Sequence, residues 1–327
     1  MKKYNVAVVG ATGVVGSTFL KVLDEYNFPI KKLHLFASEK SVGKEITFKN
    51  KKYYIESLTK ESFHNIDFAL FSAGANVSLE WAPVAEASGA IVIDNSKAFR
   101  MNDECSLIVP EININDYKEK RKIIANPNCS TIQSVIPLNA LKKYGLKRVI
   151  YTTYQAVSGS GSKGINDYNI TKDGKEESFY PYNISKTCIP HIDDFLDNGY
   201  TKEEIKMIDE TKKILHLPSL NVTATCVRVP ILYSHAVSII VELEKDFDLE
   251  QVREDFKRHE GIVLLDDPAN KIYPTAIHST GNDMVYVGRI RRDLSNPKSL
   301  MFYCVADNIR KGAASNAVMI AKKIIEE

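Results

Sequence analysis

The sequence predicts an α/β protein of about two domains, a doubly wound parallel sheet followed by an α+β domain on a largely antiparallel sheet. In the first part of the chain, apolar strands alternate with helical patterns. A glycine-rich turn joins the first of these strands to the first helix. Beyond residue 220, strands follow one another with few helices between them, which favours antiparallel pairing.

Composition limits the possible classes of protein. The 327 residues are 44% hydrophobic and 26% charged, and the net charge of +2 gives no reason to expect nucleic acid or a membrane as partner. The five cysteines are odd in number and never form a CxxC pair, which argues against a disulfide framework or a metal site. We see no signal peptide and no apolar run of about 18 residues, so we expect a cytoplasmic protein.

The strand at residues 4–9 leads into a glycine motif, Gly10-Ala11-Thr12-Gly13-Val14-Val15-Gly16, and then into a helical pattern. Such glycines permit a tight turn and close approach of a pyrophosphate at a helix N-terminus. A glycine turn that binds nothing is the alternative, but the strand before and the helix after favour a Rossmann-type dinucleotide-binding domain. The cofactor-binding residues predicted here are Gly10, Thr12, Gly13, Val14 and Val15.

The second strand, at residues 33–37, ends in a polar turn. A lone acidic residue there would select the free ribose hydroxyl of NAD, whereas Ser38, Lys40 and Ser41 suit a 2′-phosphate and favour NADP. Glu39 opposes this interpretation, and a solvated turn is the alternative. Two further strands end in residues that we expect to face the cofactor, namely Ser72, Ala73, Gly74 and Asn95.

Cys129 follows a short apolar strand at residues 123–125 and precedes an apolar-periodic helix. We expect Ser130 or Thr131 to cap this helix. A thiol at a helix N-terminus is stabilised as thiolate, the nucleophilic form. The alternative is a buried structural cysteine.

The remaining elements are assigned more briefly. We predict a strand at residues 148–157, a flexible loop at 158–164 that is either a linker or a phosphate-facing turn, and a polar surface excursion at 166–185. Helices are expected at residues 190–196, 201–215 (with a capping box from Thr201 to Glu204), 249–259 and 311–326, the last returning to the first domain. Strands are expected at residues 221–229, 235–243, 284–291 and 300–306.

Taken together, these residues resemble the aspartate-β-semialdehyde dehydrogenase family over essentially the whole chain. The motifs that carry the resemblance are Gly10–Gly16, Asp94-Asn95-Ser96 with Arg100, Asn126–Thr131, Gln155–Gly159, Glu203 with Lys206, Arg228-Val229-Pro230, His235 and Asp307–Ala314. The resemblance implies residues 1–127 plus 307–327 as an NADP-binding domain, and 128–306 as a catalytic and dimerisation domain. It also implies a homodimer.

The family's reaction is NADP-dependent reductive dephosphorylation of 4-phospho-L-aspartate to L-aspartate 4-semialdehyde and its reverse, on the route to lysine, threonine and methionine. By resemblance, Cys129 is the nucleophile that forms a thioester, His235 the acid/base, and Gln155 the residue that positions the intermediate. The implied substrate-binding residues are Arg100 and Lys206 for the phosphoryl group, Arg228 for the α-carboxylate, Glu203 for the amino group, and Asn128. The implied cofactor contacts include Ser158, Gly159 and Asn308.

The chemistry suits these residue types, because a thioester is reducible by hydride and a histidine with a pKa near 6.5 moves protons at neutral pH. Without the resemblance, Glu203 and Lys206 would be a solvated helix pair and His235 a structural histidine. Lys97 either adds positive charge near the phosphate site or points to solvent. Rival interpretations are N-acetyl-γ-glutamyl-phosphate reductase, a glyceraldehyde-phosphate dehydrogenase, and a non-catalytic NADP-binding sensor.

Overall fold

The computed structural model describes residues 2–326. The chain divides into two compact units, one of residues 1–127 with 313–327 and one of residues 128–312. Each unit contains one β-sheet, of eight strands in the first and six in the second. The two units are described separately.

The first unit is a doubly wound sheet, as the sequence predicts. Its strands run in the order β3-β4-β2-β1-β5-β6-β8-β7, and all neighbours are parallel except β3 and β4. The elements are β1 (Tyr4–Val9), α1 (Val14–Glu25), β2 (Ile30–Phe36), β3 (Glu45–Phe48), β4 (Lys51–Glu56), β5 (Phe68–Phe71), α2 (Ala75–Ala87), β6 (Ile91–Asp94), β7 (Ser106–Leu107), α3 (Pro110–Asn113), β8 (Ile123–Ala125) and α9 (Ser315–Glu326).

The central strands of this sheet are apolar on both faces. β5 and β8 are buried along their whole length, which is expected when helices cover both sides of a parallel sheet. The C-terminal helix α9 contributes Ala317, Val318, Ile320 and Ala321 to the same hydrophobic core and packs against α1. The apolar stripe of this helix thus forms part of the hydrophobic core of the first unit.

The sequence analysis did not predict one hairpin of the first unit. β3 and β4 are joined by Lys49 and Asn50, whose φ angles are +48° and +60°. Two consecutive residues at positive φ form the tight turn that matches strand twist. The lysine-rich stretch at residues 49–52 therefore forms both the turn and the start of β4.

The second unit is built on a mixed sheet. Its strands run in the order β10-β9-β11-β14-β13-β12, with three antiparallel pairs in the centre and parallel pairs at both edges. The elements are α4 (Cys129–Leu141), β9 (Leu146–Gln155), α5 (Gly161–Lys172), α6 (Lys202–Leu215), β10 (Asn221–Arg228), β11 (His235–Leu243), α7 (Leu249–Arg258), β12 (Ile262–Leu264), α8 (Ala276–Ser279), β13 (Val285–Arg292) and β14 (Ser299–Ala306). The predicted α+β class is confirmed.

Two local predictions in this unit are wrong. Residues 158–164 are no flexible loop, because a 3₁₀ turn at Val157–Ser160 leads directly into α5. The helix expected at residues 190–196 does not form, and this segment instead makes isolated bridges, Ile189 with Arg228 and Phe195 with Thr201. Tertiary packing outweighs weak local propensity at both places.

The polar excursion at residues 166–185 is also more ordered than its composition indicates. Its first part belongs to α5, where Asp167 is fully buried. The Asp167 carboxylate accepts hydrogen bonds from the backbone N–H groups of Ser178, Phe179 and Tyr180. These bonds hold the pKa of Asp167 below its ordinary value although burial opposes ionisation. A buried carboxylate thus fastens the following segment onto α5.

Candidate active site

The first unit contains a cavity of about 550 Å³ at the carboxyl ends of its parallel strands. Its walls are the turn after β1, the end of β2, the turn after β5 and the first turns of α2, and the lining residues are Val9, Gly10, Thr12, Gly13, Ala37, Ser38, Glu39, Leu58, Ser72, Ala73, Val77 and Trp81. In an open parallel sheet this edge is where dinucleotides bind. The position and the lining therefore fit a dinucleotide cofactor.

Glycine at position 10 is required by close packing of the backbone. Gly10 has a φ of +88°, and a Cβ built there would lie 2.5 Å from the carbonyl oxygen of Ser72. A Cβ on Gly16 would come to 2.0 Å from the Gly10 oxygen, so the helix N-terminus sits directly on the turn. The first backbone N–H groups of a helix have no partner within the helix, so those at the start of α1 can receive an anionic group.

The predicted cofactor residues of the first unit divide into two sets. Those that line the cavity are Gly10, Thr12, Gly13, Ser38, Ser72 and Ala73. Those that do not line it, as far as the described part of the chain shows, are Val14, Val15, Lys40, Ser41, Gly74 and Asn95. Lys40 is exposed on a 3₁₀ turn at Glu39–Ser41, whereas Glu39 is a lining residue.

Sequence reasoning missed the apolar wall of this cavity. Val77 and Trp81 both line it, and they stand four residues apart on α2. That spacing places two side chains on one face of a helix. The available signal was a tryptophan in the helix that follows a strand ending in small residues.

Arg100 is a buried residue of the first unit. Its Nε donates to the Asn126 carbonyl oxygen at 3.0 Å, and its Nη2 donates to the Asn95 carbonyl oxygen at 3.0 Å. The Asn126 side chain in turn donates to Asn95 Oδ1 at 2.7 Å. The guanidinium is thus held against the backbone of Asn126, three residues before Cys129 in the chain.

In the second unit, Cys129 is the first residue of α4, as the sequence predicts. The cap is Asn128, whose side-chain oxygen accepts hydrogen bonds from the backbone N–H groups of Ser130 and Thr131. The prediction that Ser130 or Thr131 caps the helix is wrong, because both lie inside its first turn. Cys129 is partly exposed, and a Cβ on Gly312 would lie 2.7 Å from its Cβ.

His235 and Arg228 present two buried polar atoms to one glycine. His235 Nε2 and Arg228 Nε have no hydrogen-bond partner within residues 2–326. A Cβ on Gly159 would lie 2.8 Å from Arg228 Nη1 and 3.1 Å from His235 Nε2. Unsatisfied buried polar atoms are costly, so a ligand that pairs with His235 Nε2 and Arg228 Nε is expected.

The protonation state of His235 differs from the expected one. Its Nδ1 accepts a hydrogen bond from the Ala156 N–H at 2.9 Å, which places the hydrogen of the neutral ring on Nε2. Burial, together with the positive charge of Arg228, lowers the pKa of His235 to about 3, although Glu203 opposes this shift. The expectation of a pKa near 6.5 is therefore wrong, and the imidazole of His235 is a neutral donor.

Glu203 lies at the centre of a polar cluster. Its Oε1 accepts hydrogen bonds from Asn128 Nδ2 at 2.8 Å and Gln155 Nε2 at 3.3 Å, while Oε2 pairs with Lys206 Nζ at 3.0 Å. Burial opposes ionisation, but Lys206, Asn128 and Arg228 outweigh it and lower the pKa of Glu203. The structure thus brings Gln155, Glu203 and Lys206 to the segment that carries Cys129.

The other predicted contacts of the second unit form a separate network. Ser158 and Asn308 exchange side-chain hydrogen bonds, and Asn308 Oδ1 also accepts from the Ser234 N–H directly before His235. These bonds tie the turn that carries Gly159 to the start of β11. The network supports the histidine and the glycine together.

Glu210 is a site residue that sequence reasoning missed. It is buried on α6, and its Oε2 accepts a hydrogen bond of 2.6 Å from the backbone N–H of Asn128. Glu203 and Glu210 are seven residues apart on one face of this helix, and both bind Asn128. The sequence offers only a weak indication of this role, namely two acidic residues seven positions apart in a predicted helix.

Several other features bear on the class of protein. None of the five cysteines, all of which lie within the described residues, forms a disulfide. No cluster of metal-ligating side chains occurs within the described residues. Among the helices of residues 2–326, none is both long and apolar enough to cross a membrane.

Comparison with known families defines the class. Residues 5–120 match the family model "Semialdehyde dehydrogenase, NAD binding domain", and residues 136–311 match "Semialdehyde dehydrogenase, dimerisation domain". Together these matches cover most of the chain. The protein is therefore an oxidoreductase of the semialdehyde dehydrogenase class.

The relatives narrow this class to one family. The chain is 52% identical to the aspartate-semialdehyde dehydrogenase of Aquifex aeolicus, covering 99% of this chain and 98% of that one. It is 46% identical to that of Bacillus subtilis, covering 98% and 97%. The solved aspartate semialdehyde dehydrogenase II of Vibrio cholerae, complexed with ASA, superimposes with a TM-score of 0.96 at 42% identity, covering 100% and 99%. The chain belongs to the aspartate-semialdehyde dehydrogenase family.

Proposed function

We propose that this chain catalyses NADP-dependent reductive dephosphorylation of 4-phospho-L-aspartate to L-aspartate 4-semialdehyde, and the reverse reaction. The observation that carries the proposal is the placement of Cys129 at the N-terminus of α4, with the unpartnered atoms of Arg228 and His235 in the same unit. The helix N-terminus favours the thiolate. The reaction belongs to the route towards lysine, threonine and methionine.

In the proposed mechanism the Cys129 thiolate attacks the acyl-phosphate carbonyl, a C–S bond forms, and the C–O bond to phosphate breaks. The resulting thioester is reducible by hydride, which a nicotinamide cofactor held by the glycine turn after β1 would supply. The hemithioacetal then releases the aldehyde as the C–S bond breaks and Cys129 becomes a thiolate again. Covalent catalysis divides one difficult displacement and reduction into separate steps.

His235 acts first as a hydrogen-bond donor in this scheme. Its Nε2–H points into the region beside Gly159 and would hold the substrate oxygen on which negative charge develops. A substrate α-carboxylate bound to Arg228 neutralises one of the charges that lower the pKa of His235. Substrate binding therefore raises this pKa and lets His235 exchange a proton.

The remaining substrate contacts are included in the proposal on the resemblance to the family. Arg228 Nε is free to donate to the α-carboxylate, while its Nη1 is held by the Ala156 carbonyl oxygen at 2.6 Å. Glu203 would receive the α-ammonium, Gln155 and Asn128 would position the acyl group, and Arg100 and Lys206 would attract the phosphoryl group.

For the cofactor, residues 1–127 plus 307–327 are proposed as the NADP-binding domain and 128–306 as the catalytic and dimerisation domain. Lys40 would pair with the 2′-phosphate, whereas Glu39 in the cavity lining favours a free ribose hydroxyl. Lys40→Ala should therefore reduce the preference for NADP over NAD, measured as a ratio of kcat/KM values. Ser158, Gly159 and Asn308 are proposed as further contacts of the cofactor.

The proposal includes a homodimer in the cytoplasm. The match of residues 136–311 to a dimerisation domain supports the dimer. Five cysteines without a disulfide suit a reducing compartment. Sedimentation of the purified chain would test the dimer directly.

The decisive test is formation of reduced nicotinamide from L-aspartate 4-semialdehyde, NADP and inorganic phosphate, with each omitted in turn. Dependence on phosphate is expected, because phosphate must cleave the thioester in this direction. Cys129→Ala should abolish turnover, and Cys188→Ala, which changes an exposed free thiol, should leave it unchanged. Activity with N-acetylglutamate semialdehyde instead would identify the rival reductase, and tight NADP binding without turnover would identify a sensor.

A further inference from the structure

Lys206 is held by two carboxylates rather than one. Its Nζ lies 3.0 Å from Glu203 Oε2 and 2.6 Å from Asp193 Oδ2. The side chains are 20% exposed for Lys206, 23% for Asp193 and 7% for Glu203. Screening by solvent is therefore partial, and the charges interact more strongly than a surface pair does.

Asp193 reaches this position through an uncommon backbone conformation. Its φ is +66°, in the left-handed region that Asn and Asp enter more readily than most residues. It lies in the segment where the sequence predicts a helix, and the left-handed residue interrupts that helix. The turn directs the Asp193 carboxylate back onto α6.

The third carboxylate changes the charge that a ligand would meet. With Glu203, Lys206 and Arg228 alone, one negative and two positive charges would leave the cluster cationic. Asp193 brings the same cluster to neutrality, because it supplies a second negative charge next to Lys206. Arg228 interacts electrostatically with Glu203, so its charge acts on the same cluster as those of Lys206 and Asp193.

A neutral cluster with separated charges fits a zwitterion. A ligand with both an ammonium and a carboxylate places them against Glu203 and Arg228 respectively. If Lys206 were paired with Glu203 alone, it would neutralise the carboxylate that should receive the ammonium. Asp193 shares Lys206 and leaves part of the negative potential at Glu203 available.

We propose that Asp193 is a specificity-determining residue, which sets the balance between the affinity of this site for an α-ammonium group and its affinity for inorganic anions. This inference rests on the proposed function and deepens it. Asp193 itself acts through Lys206 and Glu203. Removing the Asp193 carboxylate should weaken binding of the α-ammonium group and strengthen binding of inorganic anions.

The test is Asp193→Asn, which keeps the side-chain shape and tolerates the positive φ. The matched control is Asp194→Asn, because Asp194 pairs with Lys202 at the surface, where the two side chains are 73% and 43% exposed. The preference for L-aspartate 4-semialdehyde over succinate semialdehyde, which lacks the ammonium, is measured as a ratio of kcat/KM values. We expect this ratio to fall about tenfold in Asp193→Asn and to stay unchanged in Asp194→Asn.

A second measurement does not depend on turnover. Isothermal titration of the purified protein with inorganic phosphate should show tighter binding by Asp193→Asn than by the wild type or Asp194→Asn. A purely structural role of Asp193 would weaken the binding of both ligands together. Asp193→Gly, which relieves the left-handed strain, replaces Asp193→Asn if the latter does not fold. It should likewise weaken binding of the ammonium-bearing aldehyde and strengthen binding of phosphate.

The outcomes separate the two hypotheses. If the wild type shows neither phosphate-dependent turnover nor a preference for the ammonium-bearing aldehyde, the proposed function fails. If the wild type shows both while Asp193→Asn changes neither the ratio nor phosphate affinity, the role of Asp193 is refuted. Parallel loss of both affinities in a folded variant also refutes it.

Discussion

Gly159 lies directly against the guanidinium of Arg228, since a Cβ at position 159 would be 2.8 Å from Arg228 Nη1. Arg228 Nη1 is also fixed by the Ala156 carbonyl oxygen, so the guanidinium has little room to retreat. The turn at Val157–Ser160 therefore sets the position of a charged group on β10. The same turn approaches His235, and one backbone segment thus positions both side chains.

Gly159→Ala should lower kcat/KM for the aldehyde by roughly 10- to 100-fold, mainly through a higher KM. The added methyl group displaces Arg228 from its bond to Ala156 and from the substrate carboxylate. Steady-state kinetics together with thermal unfolding measure this effect. An unchanged KM in a variant of normal stability would show that Arg228 does not bind the carboxylate.

Asn128 serves as helix cap and as donor to Glu203, and two substitutions separate these roles. Asn128→Ser keeps a good cap, whereas Asn128→Asp keeps the cap but places a carboxylate against Glu203 Oε1. Asn128→Asp should therefore lose roughly 1–3 kcal/mol of unfolding free energy and alkylate more slowly at Cys129, because added negative charge disfavours the thiolate.

The measurements for Asn128 are urea unfolding and the rate of thiol alkylation resolved by mass spectrometry. Asp248→Ser is the control, since Asp248 caps the exposed start of α7. Both variants keep the cap and lose the Nδ2 donor to Glu203, so equal losses would mean that a carboxylate at position 128 is not repelled by Glu203.

Glu210→Ala should destabilise the protein by about 1–3 kcal/mol, because it leaves the buried N–H of Asn128 without its acceptor. Glu210→Gln retains a carbonyl oxygen and should recover much of that loss. Denaturant unfolding distinguishes the two, with the half-exposed Glu254→Gln as control. If the alanine and glutamine variants are equally stable, the hydrogen bond to Asn128 is not the reason for a carboxylate here.

Protonation of His235 should make stability depend on pH in a defined window. The pKa is about 3 in the folded chain and 6.5 when the ring is unperturbed, so between these values the unfolded state binds more protons. Stability is therefore complete above pH 6.5 and falls as the pH drops towards 3. His235→Asn should flatten the curve of unfolding free energy against pH in this window.

Chemical denaturation at a series of pH values measures that curve. The lowered pKa of Glu203 acts in the same direction in both proteins, so the difference between them isolates His235. His64→Asn, at an exposed position, is the control. Parallel curves for wild type and His235→Asn would contradict the burial argument.

The features that the sequence predicted correctly depend on residues that are close to one another in the chain. Gly10 with its following helix, Cys129 at a helix N-terminus and the capping box of Thr201 and Glu204 each depend on a few consecutive positions. Backbone sterics and hydrogen bonds within one turn determine such features, and a short sequence pattern records them. The alternation of strands and helices likewise identified both sheets.

Only the tertiary structure decided the partners of these groups. Glu210 meets the Asn128 N–H across 82 residues of chain, and Asp193 reaches Lys206 because a predicted helix gives way to a left-handed turn. The low pKa of His235 arises from complete burial beside Arg228, which no local pattern reports. Local propensity selects the elements, whereas desolvation and charge pairing depend on which elements pack together.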